Sequence, residues 1–543
     1  MTAEASPAAA RFVTDGVAPP STWGALRLST RQGALWAELP DPDHAGPGAP
    51  AALSRPVALV TGSHHQQVFW YETGRSRVLG RFPLTYLIEE RRWIPRGAAF
   101  LQPPTPVLLP GAGQWNQVCI SCHTTRGAAR VPSMSMRMTA DALEADSRVG
   151  EFGIACEACH GPSAGHVRSP RAGGIHNPRK LDPRRAAEVC GQCHSAWEWH
   201  DQAGEQTENH GGPQFRPGDE LSRFRFVARP GSEPEAPRLR ALLAEDPGFV
   251  RDAFWPDGTI AVAGREYNGL IESPCYTQAR TPERTMTCLS CHALHREKTD
   301  VRPLQFWADE QLAVSATGDG ACLNCHPAVG TGRDAHTRHA TDSAGSRCVN
   351  CHMPYTTYGL LKTVRSHRIT SPDVAVALRT GRPDACSLCH VDRPLTWTAG
   401  YLEQWYRRPQ PALDVDAGGV PAAVRWALAG DAQQRAIVAD ALGRREAGAA
   451  ARQDWARPVL ASLLDDPYPA VRFIAARSLG RVSPGAVQGY DFLSNREARM
   501  AASQRALAIW EREAGQGDGS GPRRTVLEAL RARRDDRPVT LRE

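Results

Sequence analysis

Seven copies of one pattern, Cys-x-x-Cys-His, lie between residues 119 and 390 and take up fourteen of the chain's fifteen cysteines. They are Cys119-Cys122-His123, Cys156-Cys159-His160, Cys190-Cys193-His194, Cys288-Cys291-His292, Cys322-Cys325-His326, Cys348-Cys351-His352 and Cys386-Cys389-His390. A zinc site or a redox dithiol does not need a histidine directly after every second cysteine. A c-type haem does: two thiols add to the porphyrin vinyl groups while the adjacent imidazole reaches the iron from one face. No paired cysteine departs from the pattern, so the sequence predicts seven covalently attached haems. Cys275, the odd one, is expected to be a buried free thiol.

Eighteen histidines less the seven in the motifs leave eleven, enough to offer each iron a second imidazole. With only seven methionines, a wholly His/Met protein is disfavoured, and bis-histidine ligation implies lower potentials. The expected second ligands are His166, His295, His339, His367 and one of His64 and His65. His295 and His166 follow His292 and His160 too closely to fold back over the same iron, so each is assigned to a neighbouring one. His44, in a Pro/Asp/Gly loop, reads as merely exposed.

A chain of 543 residues is too long for one core and implies two to four domains. With 41% hydrophobic and 22% charged residues it is globular in composition, and no apolar run of about 18 residues spans a membrane. Residues 1–18 read as disordered and 19–95 as a small β-rich unit, with a hairpin at Gln32-Gly33. Residues 96–200 carry three motifs, 201–287 form a haem-free insertion, and 288–395 carry four more. Over 396–543 cysteine and histidine vanish. There GDAQQRAIVADALGR (430–444) matches DPYPAVRFIAARSLGR (466–481) at an offset of 37, superposing Arg435 on Arg472. Such paired helices stack into a solenoid. The expected fold is mainly α with much irregular structure: a multihaem core, the β-rich unit, and the helical repeats with a polar tail.

The net charge of +6 is almost all arginine, since Lys180, Lys298 and Lys362 are the only lysines. The arginines are spread along the chain rather than gathered in a stripe, which argues against nucleic acid as a partner. Guanidinium forks suit planar carboxylates such as porphyrin propionates.

CEACHGPSAGH, CLSCHALH and the stretch from CHMP to His367 resemble modules of multihaem cytochromes c. The likeness is to those related to the tetrahaem partner of hydroxylamine oxidoreductase and to octahaem and pentahaem reductases. It covers about residues 57–390, and about 420–482 resemble HEAT repeats. The resemblance implies extracytoplasmic, periplasmic electron transfer between redox protein partners, with partner docking on the repeats. Relatives commonly begin with a further Cys-x-x-Cys-His motif, and none precedes Cys119. Haem attachment also requires export, whereas MTAEASPAAARFVTDG has neither a basic start nor an apolar stretch. The reading is therefore that Met1 is an internal start, with a signal peptide and an eighth haem site upstream.

Electron transfer is the leading expectation. The alternative is an oxidoreductase of a small nitrogen or sulfur compound, such as nitrite or hydroxylamine, at one five-coordinate haem. Pentahaem nitrite reductases typically use a lysine-ligated haem; every motif here ends in histidine, which counts against that branch.

Overall fold

A computed structural model describes residues 2–4, 26–41, 51–62, 64–104, 111–132, 144–169, 174–413, 418–452, 454–514 and 520–542. The chain forms two compact units. The first takes Met1–Gly97, Thr105–Val227 and Thr287–Leu289; the second takes Ala98–Pro104, Ala228–Met286 and Ser290–Glu543. Helices, sheets and much irregular chain are combined, and no helix among the described residues is long and apolar enough to cross a membrane.

The first unit is built on an antiparallel sheet. Its strands are β1 (Thr2–Glu4), β2 (Arg27–Arg31), β3 (Ala34–Pro40), β4 (Ala52–Thr61), β5 (Gln66–Glu72), β6 (Leu79–Leu87), β7 (Arg92–Pro95) and β8 (Gly111–Ala112). Strands β2 to β7 pair in sequence order, β1 adds to β4, and β8 adds to β6. Of the first 18 residues, expected to lack order, Thr2–Glu4 form β1; the others, like His44, lie outside the described residues. At the β2–β3 hairpin Gln32 (φ 49°) and Gly33 (φ 79°) are both left-handed, the two-residue turn whose twist matches the flanking strands.

Alternation along β5 makes the sheet two-faced. Phe69 and Tyr71 enter one core with Phe82, Leu84, Tyr86 and Trp93, while Val68 and Trp70 enter another with Trp115 and Ile120. Trp93 meets Phe69, Tyr86 and Phe82 at 5.4, 5.1 and 6.3 Å. Each such aromatic pair adds about 0.5–1.5 kcal/mol beyond its buried area. The second face matters for function, because it seats the segment Trp115–His123 that carries the first motif. Asn116, buried, accepts from the Leu79 N–H (3.1 Å) and donates to the Arg77 carbonyl (3.0 Å) and Ser147 Oγ (2.8 Å). The other helices of this unit used below are α1 (Cys156–His160) and α2 (Pro183–Gly191).

The second unit contains α3 (Glu266–Ile271), α4 (Arg333–Thr337), α5 (Cys348–His352), α6 (Leu395–Tyr406), α7 (Ala422–Leu428), α8 (Ala432–Leu442), α9 (Ala456–Leu463), α10 (Pro469–Val482) and α11 (Arg496–Ala514). Packing runs α7 on α8, α8 and α9 on α10, and α9 on α11. A capping box starts α8: Asp431 Oδ1 accepts from the Gln434 N–H (2.9 Å) and Gln434 Oε1 from the Asp431 N–H (3.0 Å). The 37-residue offset has a structural counterpart. Arg435 Nη1 donates to the Gly430 carbonyl and Arg472 Nη1 to the Pro467 carbonyl, each five residues upstream and each at 2.8 Å.

Candidate functional site

Each Cys-x-x-Cys-His segment must bring two thiols and an imidazole together within about one turn. In α1 and α5 the whole motif is helical. In three others the histidine closes the turn on its own first cysteine: His194 N–H donates to the Cys190 carbonyl (2.9 Å), His326 to Cys322 (3.0 Å) and His390 to Cys386 (2.7 Å). No two of the fourteen motif cysteines are joined in a disulfide. Burial pushes Cys119, Cys159 and Cys389 up to about 11, so these thiols are neutral at pH 7.

Motifs sit beside one another within each unit. In the first, the thiols of Cys122 and Cys193 are within hydrogen-bonding reach, as are those of Cys190 and Cys288. Gln192 Nε2 donates to the Ala158 carbonyl (3.0 Å), tying the third motif to α1. In the second unit Cys322 and Cys348 are in the same relation. Cys275, raised by burial, has Cys325 and Cys291 as its electrostatic neighbours.

The histidines carry the most specific geometry. Imidazole nitrogen binds a transition metal at about 2 Å, so two rings facing across one ion stand about 6 Å apart, centre to centre. Three pairs in the second unit have that spacing. His292 and His367 are 6.3 Å apart and 18° from parallel, His352 and His336 are 6.3 Å and 15°, and His390 and His339 are 5.9 Å and 32°. Each pair joins one motif histidine to one histidine outside the motifs.

Hydrogen bonding sets which nitrogen of each ring is available. Nδ1 of His292 lies 2.9 Å from the Glu310 carbonyl, His352 3.0 Å from Thr370, His339 2.6 Å from Thr337 and His367 3.1 Å from Arg365. A carbonyl only accepts, so Nδ1 carries the proton and Nε2 keeps its lone pair, the tautomer of a ligating imidazole. Burial lowers the His352 and His390 imidazoles, and the facing His336 and His339 lower them further. For His352 and His390 both effects favour the neutral ring, the form that ligates. Among the described residues no group of three or more His, Cys, Asp or Glu could hold a bare ion. Paired imidazoles flanked by paired thiols are the donor set of a covalently held haem, and the residues present fit that group.

The structure therefore brings His339 and His367 to motif histidines, each belonging to a motif other than the nearest in sequence. His336, which sequence reasoning passed over, is brought to His352. A signal was present: His336 and His339 are three residues apart, on and just beyond α4. His295 is exposed and His166 half-buried. The adjacent His64 and His65 rings are 6.5 Å apart at 52°. In the first unit, His160 Nδ1 lies 2.6 Å from the His176 carbonyl, repeating the orientation above.

Two arginine clusters adjoin the motifs. Arg225, buried, lies 3.5 Å over Trp197 and pairs with Glu208, which also accepts from Trp199 Nε1 (2.9 Å). Arg365 and Arg444 lie 4.1 and 3.3 Å over the Tyr355 ring, beside a small cavity lined by Asn350, Leu388 and Cys389. Arg365 also donates to the carbonyls of Val349 (2.9 Å) and Met353 (3.2 Å), capping the end of α5.

No protein-family model matches the chain, and no curated protein is significantly similar to it. Among solved structures it is similar in coarse outline to the outer cell wall cytochrome OcwA. That match has a TM-score of 0.44 and 17% identity, and covers 84% of this chain and 88% of that one. An undecahaem cytochrome from the S-layer of Carboxydothermus ferrireducens is similar at a TM-score of 0.29 and 15% identity, over 84% of this chain and 62% of that one.

Proposed function

We propose that this chain is a c-type multihaem cytochrome carrying seven haems on its seven Cys-x-x-Cys-His motifs, and that it transfers electrons outside the cytoplasm. The observation that carries the reading is the set of three facing imidazole pairs at 5.9–6.3 Å, each ending on a motif histidine. Bound haem supplies one-electron chemistry at a potential set by its axial ligands, hydrogen bonds and burial.

The protein's residues do the rest. Cys288/Cys291, Cys348/Cys351 and Cys386/Cys389 would hold three of the porphyrins, and His292/His367, His352/His336 and His390/His339 would supply the nitrogen donors to their irons. The carbonyls of Glu310, Thr370, Thr337 and Arg365 hold the rings in register. Cys119/Cys122 with His123, Cys156/Cys159 with His160, Cys190/Cys193 with His194 and Cys322/Cys325 with His326 complete the seven. His64 or His65, His166 and His295 stand as further axial candidates. The guanidinium of Arg365, stacked on Tyr355 and held by the Val349 and Met353 carbonyls, places positive charge beside the Cys348–His352 motif, which favours the reduced state.

Haem attachment is an extracytoplasmic process, and that supports the location. The C-terminal helices, read as HEAT-like repeats, offer an extended surface for a redox protein partner. The test is a pyridine haemochrome count with intact mass on protein matured in a secretion-competent host, with low-spin signals measured alongside. Seven haems per chain and low-spin signals equivalent to at least three are expected. A count near zero despite export refutes the reading.

A further inference from the structure

The aromatic residues of α6 form a series that the proposed ligation does not use. Trp397, Tyr401 and Trp405 recur every four residues and so share one face of the helix. Their rings meet in succession, Trp397 to Tyr401 at 4.8 Å and Tyr401 to Trp405 at 4.5 Å, centre to centre. At one end Trp397 lies 4.8 Å from the motif imidazole of His390. At the other, Trp405 lies 6.3 Å from Tyr406, whose own ring lies 6.2 Å from that of His336. The Tyr406 hydroxyl also donates to the His336 carbonyl. Tyr406 is 39% exposed. The run of rings therefore starts at one motif histidine, ends at the surface, and there meets the imidazole that faces His352.

Core packing does not account for this series. The buried residues of α6 are Leu395, Thr398, Ala399 and Leu402, whereas Trp397, Tyr401 and Trp405 are only half-buried. Electrons tunnel far more readily through packed atoms than across gaps, and from Trp397 to Trp405 the helix rises about 12 Å with rings in contact throughout. The rings serve as a bridge and are not themselves oxidised. Tryptophan and tyrosine hold their electrons more tightly than iron between two imidazoles does. The Arg393 guanidinium, 5.8 Å over Trp397, further opposes positive charge on that ring.

We propose that the aromatic face of α6 is an electron exit, leading from the centre at His390 through Trp397, Tyr401 and Trp405 to Tyr406, which also serves the centre at His352 through His336. The proposal rests on the electron-transfer reading above and adds to it the place at which an acceptor receives its electron. Each transfer takes one electron from a ferrous iron to a one-electron acceptor at Tyr406. No bond forms or breaks and no proton moves.

The experiment uses the haem-loaded chain carrying a ruthenium polypyridine label at one surface position. With the motif cysteines taken up as thioethers, Cys275 is the one other thiol. Cys275→Ser with Gln404→Cys therefore gives a single exposed labelling site beside Trp405 and Tyr406, and Cys275→Ser with Glu528→Cys gives one on the helix Ser520–Ala532. A flash makes the label give one electron to a ferric iron, and haem absorbance follows the rate. From position 404, Tyr401→Leu and Trp405→Leu are each expected to slow the transfer several-fold, and Tyr401→Phe, which keeps the ring, to restore it. From position 528 the rate should not respond. Haem count, low-spin signals and midpoint potentials, read on the same samples, should match the unsubstituted chain, which separates loss of the path from loss of a centre. Equal rates from position 404 with and without the rings overturn the proposal. So does equal slowing from both positions, or a Tyr401→Phe rate as slow as that of Tyr401→Leu. A haem count other than seven, or no low-spin signal, in the unsubstituted chain overturns the underlying reading instead, so the two failures are told apart.

Discussion

Arg435 on α8 and Asp466, just before α10, form an ion pair with both side chains fully buried and Nε to Oδ2 at 2.7 Å. The guanidinium is otherwise satisfied by the carbonyls of Gly430 and Asp535. Removing one partner of such a pair leaves an uncompensated buried charge, at a cost of about 3–5 kcal/mol. Asp466→Ala should lower the denaturant midpoint of the helical array accordingly, while the exposed Arg524–Glu528 pair should yield less than about 1 kcal/mol when broken.

The second prediction concerns pH. Burial acts to raise the Asp440 carboxyl, but the guanidiniums of Arg444 and Arg477 and the Thr363 hydroxyl outweigh it and hold the group below its usual range. A depressed carboxylate contributes stability that is complete above its unfolded value of about 3.9 and is lost as pH falls through the lower folded value. Asp440→Asn should therefore be less stable than wild type at pH 6, with the gap closing below about pH 4. Thermal unfolding at pH 6, 4 and 3 measures it.

Two glycines guard the second imidazoles. A Cβ on Gly345 would overlap the His339 ring, and one on Gly269 in α3 would lie 2.6 Å from the Arg368 nitrogen and 2.7 Å from the His367 carbonyl carbon. Gly345→Ala should displace His339 from His390 and convert one low-spin haem equivalent to high-spin. Gly269→Ala should do the same at His292. Electron paramagnetic resonance reads both, and a variant at the unencumbered Gly318 should change neither.

Ligand exchange at one pair gives a directional test. Methionine as the sixth ligand raises the reduction potential. His367→Met should shift one component of the redox titration upward and leave the others in place.

The sequence was most informative where the chemistry is local. Two thiols and an imidazole in five residues are legible because covalent attachment demands them within one turn. The Gln32-Gly33 hairpin is legible because two left-handed residues in succession suit few other contexts. The choice of second imidazole is not local. It depends on which motifs the fold places side by side, so His367 meets His292 rather than the nearer His352, and His339 meets His390 across 51 residues. His336 is harder to read for the same reason: its spacing from His339 hints at a shared role, but only the turn of α4 brings it to His352. The buried Arg225–Glu208 and Arg435–Asp466 pairs were equally hidden, since charge in a sequence reads first as surface.

His336 and His339 share one short turn, separated by Arg338 in the left-handed conformation at φ 59°. That kink sends two nearby side chains to two different motifs. On the ligation proposed above, seating either iron immobilises the backbone from which the other draws its ligand, so the two centres are filled cooperatively rather than independently. A defect in attachment at Cys348/Cys351 would then be felt at Cys386/Cys389 as well, and partly loaded chains would tend to lack both haems or neither.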